Sequence, residues 1–166
     1  MERVFIDHDL VRSRLAGICF ICELVAGNPS HFHHVVFEDE ETIAFLNKYP
    51  TVYGYVIVAP KRHREQVTGD FSESEYLKIQ TVVHRVGEAI RKVVPTERLY
   101  VLSLGSQQAN RHVHWHLAPL PPGVPFNKQQ YRALSRSDYA SSLQLESEEA
   151  TSLAQRLREA INGRET

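Results

Sequence analysis

The sequence has few cysteines, no long apolar run and no pattern of a signal peptide. These features argue in turn against a disulfide-bonded, a membrane-spanning and a secreted protein. It contains two cysteines, Cys19 and Cys22, in 166 residues. No apolar run approaches the roughly 18 residues of a membrane span, so no membrane partner is expected. The acidic residues of segment 1–9 are unlike a signal peptide. We therefore expect a cytoplasmic protein with reduced thiols, where a structural disulfide is disfavoured.

The charge is nearly balanced, with 19 basic and 20 acidic residues and a net charge of −1. A nucleic-acid-binding surface usually shows an excess of basic residues, so no nucleic-acid partner is expected. Hydrophobic residues make up 42% and charged residues 23% of the chain, as in an ordinary globular protein. The length predicts a single domain that buries a sizeable core.

The most informative stretch is residues 112–118, His-Val-His-Trp-His-Leu-Ala. On a β-strand, residues two apart share a face, so His112, His114 and His116 would form a row. The residues between them would face a core. On a helix the three histidines would spread, because two residues turn the helix by about 200°. The pattern therefore predicts a strand with a functional face.

This pattern resembles the signature of the histidine triad family of nucleotide hydrolases and transferases, in a bacterial-type branch with an N-terminal C-x-x-C. The resemblance implies an α+β fold, with an antiparallel sheet of about five strands and one main helix. It also implies three regions: an extension over 1–16, the family domain over 17–120, and a helical C-terminal extension over 121–166.

The local patterns predict elements that agree with this architecture. The predicted strands are Val35–Phe37, Thr42–Leu46, Tyr53–Ala59 and Leu99–Leu104, followed by the triad strand. Short helices are predicted over Leu10–Leu15 and at the C-x-x-C. Ser72 and Glu75 form a capping-box pattern that starts the main helix, and Pro95 ends it. Ser147 is predicted to cap an amphipathic last helix.

The pair Cys19 and Cys22 admits three interpretations. A redox pair would need a thioredoxin-like context, which the neighbouring sequence does not supply. The two thiols could also be packed without a role, or they could be half of a structural zinc site that needs two more ligands. By the family resemblance, those two ligands are His63 and His112.

The resemblance also assigns catalytic roles. His114 would attack the α-phosphorus of a nucleoside phosphoramidate or dinucleoside polyphosphate and form a nucleotidyl-histidine intermediate. His116 would contact the α-phosphate, and His112 would support the strand. No magnesium-binding carboxylate cluster is visible in the sequence. Family members commonly form homodimers, which we also expect here.

The remaining binding residues follow from the same resemblance. Asn47 would hold the ribose hydroxyls. Gln108 and Asn110, with Ser106, could donate to phosphate, although their loop is shorter than in many relatives. The base pocket would be formed by Phe20, Ile21, Leu24 and Phe45. The loop histidines His31, His33 and His34 are expected to be solvated rather than functional.

Two other hypotheses explain the histidine row. The protein could bind mononucleotides as a sensor without turnover. Alternatively, the three histidines could hold a catalytic metal ion, with His114 as a ligand. The complete seven-residue pattern favours the nucleotide hydrolase.

Overall fold

The computed structural model describes residues 2–7, 10–11, 13, 16–105, 110–134 and 141–163. The strands are β1 (Arg3–Phe5), β2 (Val35–Glu38), β3 (Thr42–Leu46), β4 (Val56–Pro60), β5 (Arg98–Leu102), β6 (Trp115–Leu120) and β7 (Ser141–Leu143). The helices are α1 (Phe20–Val25), α2 (Glu73–Val93), α3 (Tyr131–Leu134) and α4 (Ser147–Asn162), with single 3₁₀ turns at Pro29–His31 and Phe126–Lys128. Leu10, Val11 and Ser13 are helical, and the rest of the helix predicted over Leu10–Leu15 lies outside the described residues.

Five strands form one sheet in the order β2-β3-β4-β6-β5, and every neighbouring pair is antiparallel. The α+β class, the five-stranded sheet and the β2–β3 hairpin are confirmed. The third strand was predicted from Tyr53 but starts at Val56, because the chain first turns through Gly54 with a φ of +80°. The next strand is also shorter than predicted, since β5 ends at Leu102.

The main helix α2 has the predicted bounds. Ser72 accepts a hydrogen bond from the backbone N–H of Glu75, and the Glu75 carboxylate accepts one from the backbone N–H of Ser72. This capping box satisfies N–H groups at the helix start. No helix in the described part of the chain is long and apolar enough to cross a membrane.

The two faces of the sheet bury different side chains. One face packs against α2 and α4 and forms the main core, which includes Val58, Val113, Trp115 and Leu117. The opposite face carries a smaller cluster beneath α1, formed by Ile21, Ile43, Phe45, Ile57 and Ala59. Because side chains alternate along a strand, residues of the same strand contribute to both layers.

The C-terminal region is part of the same core. Leu153, Leu157 and Ile161 of α4 are each at most 1% exposed and pack with α2. Strand β7 pairs with β1, so the N-terminal strand is joined to the segment that precedes α4. Ser147 is the first residue of α4 and Glu146 is the N-cap, without a side-chain capping bond, so the predicted cap at Ser147 is wrong by one residue.

Candidate active site and metal centre

The triad segment enters the sheet later than predicted. Strand β6 begins at Trp115, so the prediction that His112 and His114 lie on a paired strand is wrong. Two hydrogen bonds to residues outside the segment hold it in place instead. The Val113 N–H donates to the Arg64 carbonyl at 2.7 Å, and the Ser103 hydroxyl donates to the His114 carbonyl at 2.8 Å. The alternation persists nevertheless, since Val113, Trp115 and Leu117 all lie in the helix-packed core.

His114 is buried, with 1% of its surface exposed. Its Nδ1 lies 2.7 Å from the carbonyl oxygen of His112, which can only accept, so Nδ1 must carry the proton. Burial lowers the pKa of His114, although the bond to His112 opposes this. The ring is therefore a neutral imidazole whose lone pair is on Nε2, which is the nucleophilic form.

His116 lies beside His114, with ring centroids 4.6 Å apart and planes inclined by 70°. It belongs to β6, where it lies opposite Ile57 of β4 and Leu102 of β5. The Tyr55 ring is 5.7 Å from the His116 ring. Two imidazoles thus occupy adjacent positions on the face of the sheet that α2 does not cover.

A second group of side chains surrounds His112. The ligand atoms of Cys19, Cys22, His63 and His112 all lie within 4.8 Å of one another. The Nδ1 of His112 is 3.4 Å from Sγ of Cys19 and 3.5 Å from Sγ of Cys22. The Nδ1 of His63 is 3.3 Å from Sγ of Cys22. The structure therefore brings together all four residues that the family resemblance implied as ligands.

These distances suit a tetrahedral zinc ion. Usual Zn–S and Zn–N bond lengths place sulfur and nitrogen ligands about 3.5 Å apart around such an ion. Each histidine also has a partner for its other nitrogen, as ligating histidines usually do. The Nε2 of His112 donates to the Pro60 carbonyl at 2.8 Å, and Nε2 of His63 lies 3.3 Å from the Glu65 carboxylate.

Without a cation, the Cys22 thiol is protonated. Burial and the neighbouring Cys19 raise the pKa of Cys22 to about 11. A thiolate is the form that binds zinc, so an ion at this position would release the proton. Among the described residues, the group of candidate metal ligands includes His112 but not His114, which gives no support to the hypothesis of a catalytic metal on His114.

The apolar residues proposed for a base pocket also converge. Ile21 and Phe45 are fully buried, and Phe20 and Leu24 pack against the same cluster. Phe20 and Phe45 meet edge to face, with ring centroids 6.2 Å apart. Helix α1 therefore lies over β3 and β4, and Ile57 of the same cluster lies opposite His116 in the register of β4 and β6.

Asn47 lies directly after β3 and is 7% exposed. Its Oδ1 accepts a hydrogen bond from the backbone N–H of Tyr49 at 2.9 Å. A hydroxyl that binds to this side chain would therefore be held by the amide N–H groups. Asn47 lines a cavity of about 350 Å³ at the end of β3.

His33 is a residue that the sequence interpretation missed. Its ring lies 5.0 Å from that of Phe45 and 5.7 Å from that of Phe20, so the prediction of a solvated side chain is wrong for His33. A histidine in a turn-rich loop gives no sequence signal for this contact, which depends on how the loop folds back onto β3. The hydrogen bond from Ser103 to the His114 carbonyl was also missed, because it joins two segments that no local sequence pattern connects.

Of the residues expected to donate to phosphate, Gln108 and Ser106 lie outside the described residues. Asn110 lines a cavity with Cys19, His63 and His112, three of the four candidate metal ligands.

Comparisons with known proteins agree with this geometry. The HIT domain family model matches residues 29–122. The adenosine 5′-monophosphoramidase of Schizosaccharomyces pombe is 27% identical over 129 residues, covering 70% of this chain and 92% of that protein. Protein hit of Bacillus subtilis is 30% identical over 105 residues, covering 61% of this chain and 70% of that protein.

Solved structures show the same fold. A hypothetical histidine triad nucleotide-binding protein from Sulfolobus tokodaii superposes with a TM-score of 0.69 at 26% identity, covering 87% of this chain and 93% of that one. A zinc-bound histidine triad family protein from Mycobacterium smegmatis has a TM-score of 0.65 at 19% identity, covering 87% and 94%.

Proposed function

Since this chain belongs to the HIT domain family, we propose that it is a nucleotide hydrolase or nucleotidyl transferase. Its substrate is a nucleoside phosphoramidate or a dinucleoside polyphosphate, cleaved at the α-phosphate. The observation that carries this proposal is the fixed tautomer of His114, whose proton is on Nδ1 and whose lone pair is on Nε2. The relative named adenosine 5′-monophosphoramidase supports the choice of bond.

The reaction has two displacement steps. The Nε2 lone pair of His114 attacks the α-phosphorus, and the bond from phosphorus to the leaving nitrogen or oxygen breaks, with its electron pair going to the leaving group, which takes up one proton from solvent; the attacking water returns one proton to solvent in the second step. Water or another acceptor then attacks the same phosphorus, loses a proton, and displaces neutral His114. His116, 4.6 Å from His114 between ring centroids, contacts the non-bridging oxygens, where charge must be offset.

We propose structural zinc at Cys19, Cys22, His63 and His112, supported by their distances and by the zinc-bound relative from Mycobacterium smegmatis. Bound zinc would supply a rigid cross-link rather than chemistry at phosphorus. His112 connects this centre to the reaction, because its carbonyl oxygen is the acceptor for Nδ1 of His114.

The nucleotide would lie along the face of the sheet that α2 leaves open. The ribose is held at Asn47 and the base packs near Phe20, Ile21, Leu24 and Phe45, while Gln108 and Asn110 donate to phosphate. We also propose a cytoplasmic homodimer. Of the outer strands, β2 has the Val35 carbonyl bound by Arg158, whereas β5 exposes Val101, so β5 is the better edge for extending the sheet.

The test is mononucleotide release from an adenosine phosphoramidate and from diadenosine tri- and tetraphosphates, with and without added phosphate. The native protein is compared with His114→Gly, and with His84→Asn as a control on an exposed face of α2. We expect release by the native protein and the control, and none by His114→Gly. Full activity of His114→Gly would overturn the mechanism, and nucleotide binding without any release would indicate a sensor.

A further inference from the structure

The loop histidine His33 has a defined environment that the proposed reaction does not use. Its ring packs against both Phe20 and Phe45, at centroid distances of 5.7 and 5.0 Å. These are two of the residues expected to surround the base. His33 therefore lies within reach of whatever occupies that region.

The hydrogen bonding of His33 fixes which of its nitrogens can accept. Its Nδ1 lies 2.8 Å from the carbonyl oxygen of His31, so Nδ1 must carry a proton. Burial lowers the pKa of His33, although the bond to His31 opposes this, so the ring is neutral near pH 7. A neutral imidazole with a protonated Nδ1 has an acceptor, and no donor, at Nε2.

His33 and Asn47 line the same cavity of about 350 Å³. That volume lies within the range of small-ligand sites, roughly 300–1,000 Å³. A nucleotide whose ribose is held at Asn47 would place its base within the same region. The polar edge of the base would then meet a hydrogen-bond acceptor on His33.

We propose that His33 makes this site selective for nucleotides whose base carries an amine at C6, so that 6-aminopurines bind more tightly than 6-oxopurines. Adenine has an N–H₂ donor at N6, whereas the 6-oxo group of guanine or hypoxanthine is an acceptor. An amine pairs with Nε2, and a 6-oxo group places two acceptors against each other. This inference rests on the proposed ribose position at Asn47.

Lys48 would give the site the base preference opposite to that of His33. It lines the same cavity, and its ammonium group is a donor. Selection by Lys48 would favour a 6-oxo base. The order of affinity for adenosine and inosine monophosphates therefore decides between the two side chains.

The experiment measures dissociation constants of adenosine, N6,N6-dimethyladenosine and inosine monophosphates by calorimetry. The proteins are the native chain, His33→Phe, which keeps an aromatic ring against Phe20 and Phe45, and His84→Phe as a matched control on an exposed position. We expect the native chain and the control to bind adenosine monophosphate at least about fivefold more tightly than the other two, the effect of one net hydrogen bond. In His33→Phe that ratio falls to about one.

Equal affinity or an inosine preference in the native chain would overturn the proposal, as would an unchanged ratio in a folded His33→Phe. If His33→Phe does not fold, the affinities of the native chain for adenosine and N6,N6-dimethyladenosine monophosphates still test the proposal. Dimethylation removes the N6 donors from the ligand and leaves the protein unchanged. Hydrolysis is assayed separately with adenosine and inosine phosphoramidates. A base preference without turnover would contradict the hydrolase proposal only, whereas His114-dependent turnover without a preference would contradict this inference only.

Discussion

The backbone carbonyl of His112 accepts a hydrogen bond from Nδ1–H of His114, with 2.7 Å between nitrogen and oxygen, while the ring of the same His112 faces two cysteine sulfurs. One residue therefore contacts both the proposed metal centre and the proposed nucleophile. Loss of a metal ligand should therefore lower turnover, because His112 carries the acceptor for Nδ1 of His114.

We expect one zinc ion per chain, bound by the four-residue group around His112. Replacing Cys22 by Ser should abolish stoichiometric zinc, lower the melting temperature and reduce turnover, because the centre loses a ligand that lies near both histidines. Elemental analysis and thermal unfolding measure these effects. His84→Asn is the control, and zinc retained in full by Cys22→Ser would contradict the assignment.

Ser103 should act as a positioning residue for the nucleophile. Its hydroxyl donates to the His114 carbonyl, in a segment that precedes the paired part of β6. Ser103→Ala should lower kcat about fivefold with little change in KM, since a net hydrogen bond contributes about 1 kcal/mol. Ser152→Ala, on an exposed turn of α4, is the control. An equal rise in KM would instead indicate a direct contact with substrate.

Gly54 should tolerate no side chain. It has a φ of +80°, and an added Cβ would lie 2.7 Å from Cγ2 of Val94. Gly27 has a φ of +75° and nothing within 4 Å of an added Cβ. A substitution there measures the cost of backbone strain without a steric collision. Gly27→Ala should cost about 1–2 kcal/mol in the free energy of unfolding, and Gly54→Ala clearly more. Urea unfolding measures both, and equal costs would show that the collision is relieved.

The C-terminal helix should be needed for stability even though the family match ends at residue 122. Leu157 of α4 is fully buried in the main core, whereas Leu77 of α2 is 57% exposed. Leu157→Ala should lower the free energy of unfolding by about 2–5 kcal/mol, and Leu77→Ala by far less. If chemical denaturation gave both variants the same small cost, α4 would not be part of the cooperative unit.

The capping carboxylate Glu75 should make stability depend on pH. Its bonds to Arg64, and then to Ser72, lower the pKa of Glu75 from 4.5 to about 2. A carboxyl group whose pKa is lower in the folded state stabilises fully above its unfolded pKa and loses this effect as the pH falls. The stability difference between the native chain and Glu75→Gln should therefore be constant above about pH 5 and shrink towards pH 2. Urea unfolding across this range checks it, with Glu73→Gln from the same helical turn as the control.

Local signals in the sequence were sufficient for most of the fold. Ser72 with Glu75 fixed the start of the main helix, and alternating apolar residues located the strands, because both depend on neighbours a few residues apart. The errors in the predicted strand boundaries have two causes, a turn and a pair of hydrogen bonds to residues outside the strand. The turn at Gly54 shortened β4, and the triad histidines lie ahead of β6 because the Arg64 and Ser103 contacts replace strand pairing there.

The site was less predictable than the fold. The C-x-x-C spacing marked Cys19 and Cys22 as possible ligands, but their partners His63 and His112 could be named only through a family resemblance, since Cys19 and His112 are 93 residues apart and no spacing rule joins them. The contact of His33 with Phe45 depends on the path of a loop, and a loop carries no periodicity from which such a contact can be inferred. Residues that support others through the backbone, such as Ser103, left no pattern at all.

The alternation of side chains along residues 112–117 has a consequence for how this protein can vary. Val113, Trp115 and Leu117 face the helices, and the three histidines between them face the other way. A complete scan of substitutions should therefore give two phenotypes with a period of two, out of phase with each other. Abundance should fall at the odd positions and at His112, a proposed zinc ligand, and turnover per folded molecule at His114 and His116. Selection on turnover and selection on thermal tolerance then act on different codons of this stretch, except at His112, where the two coincide.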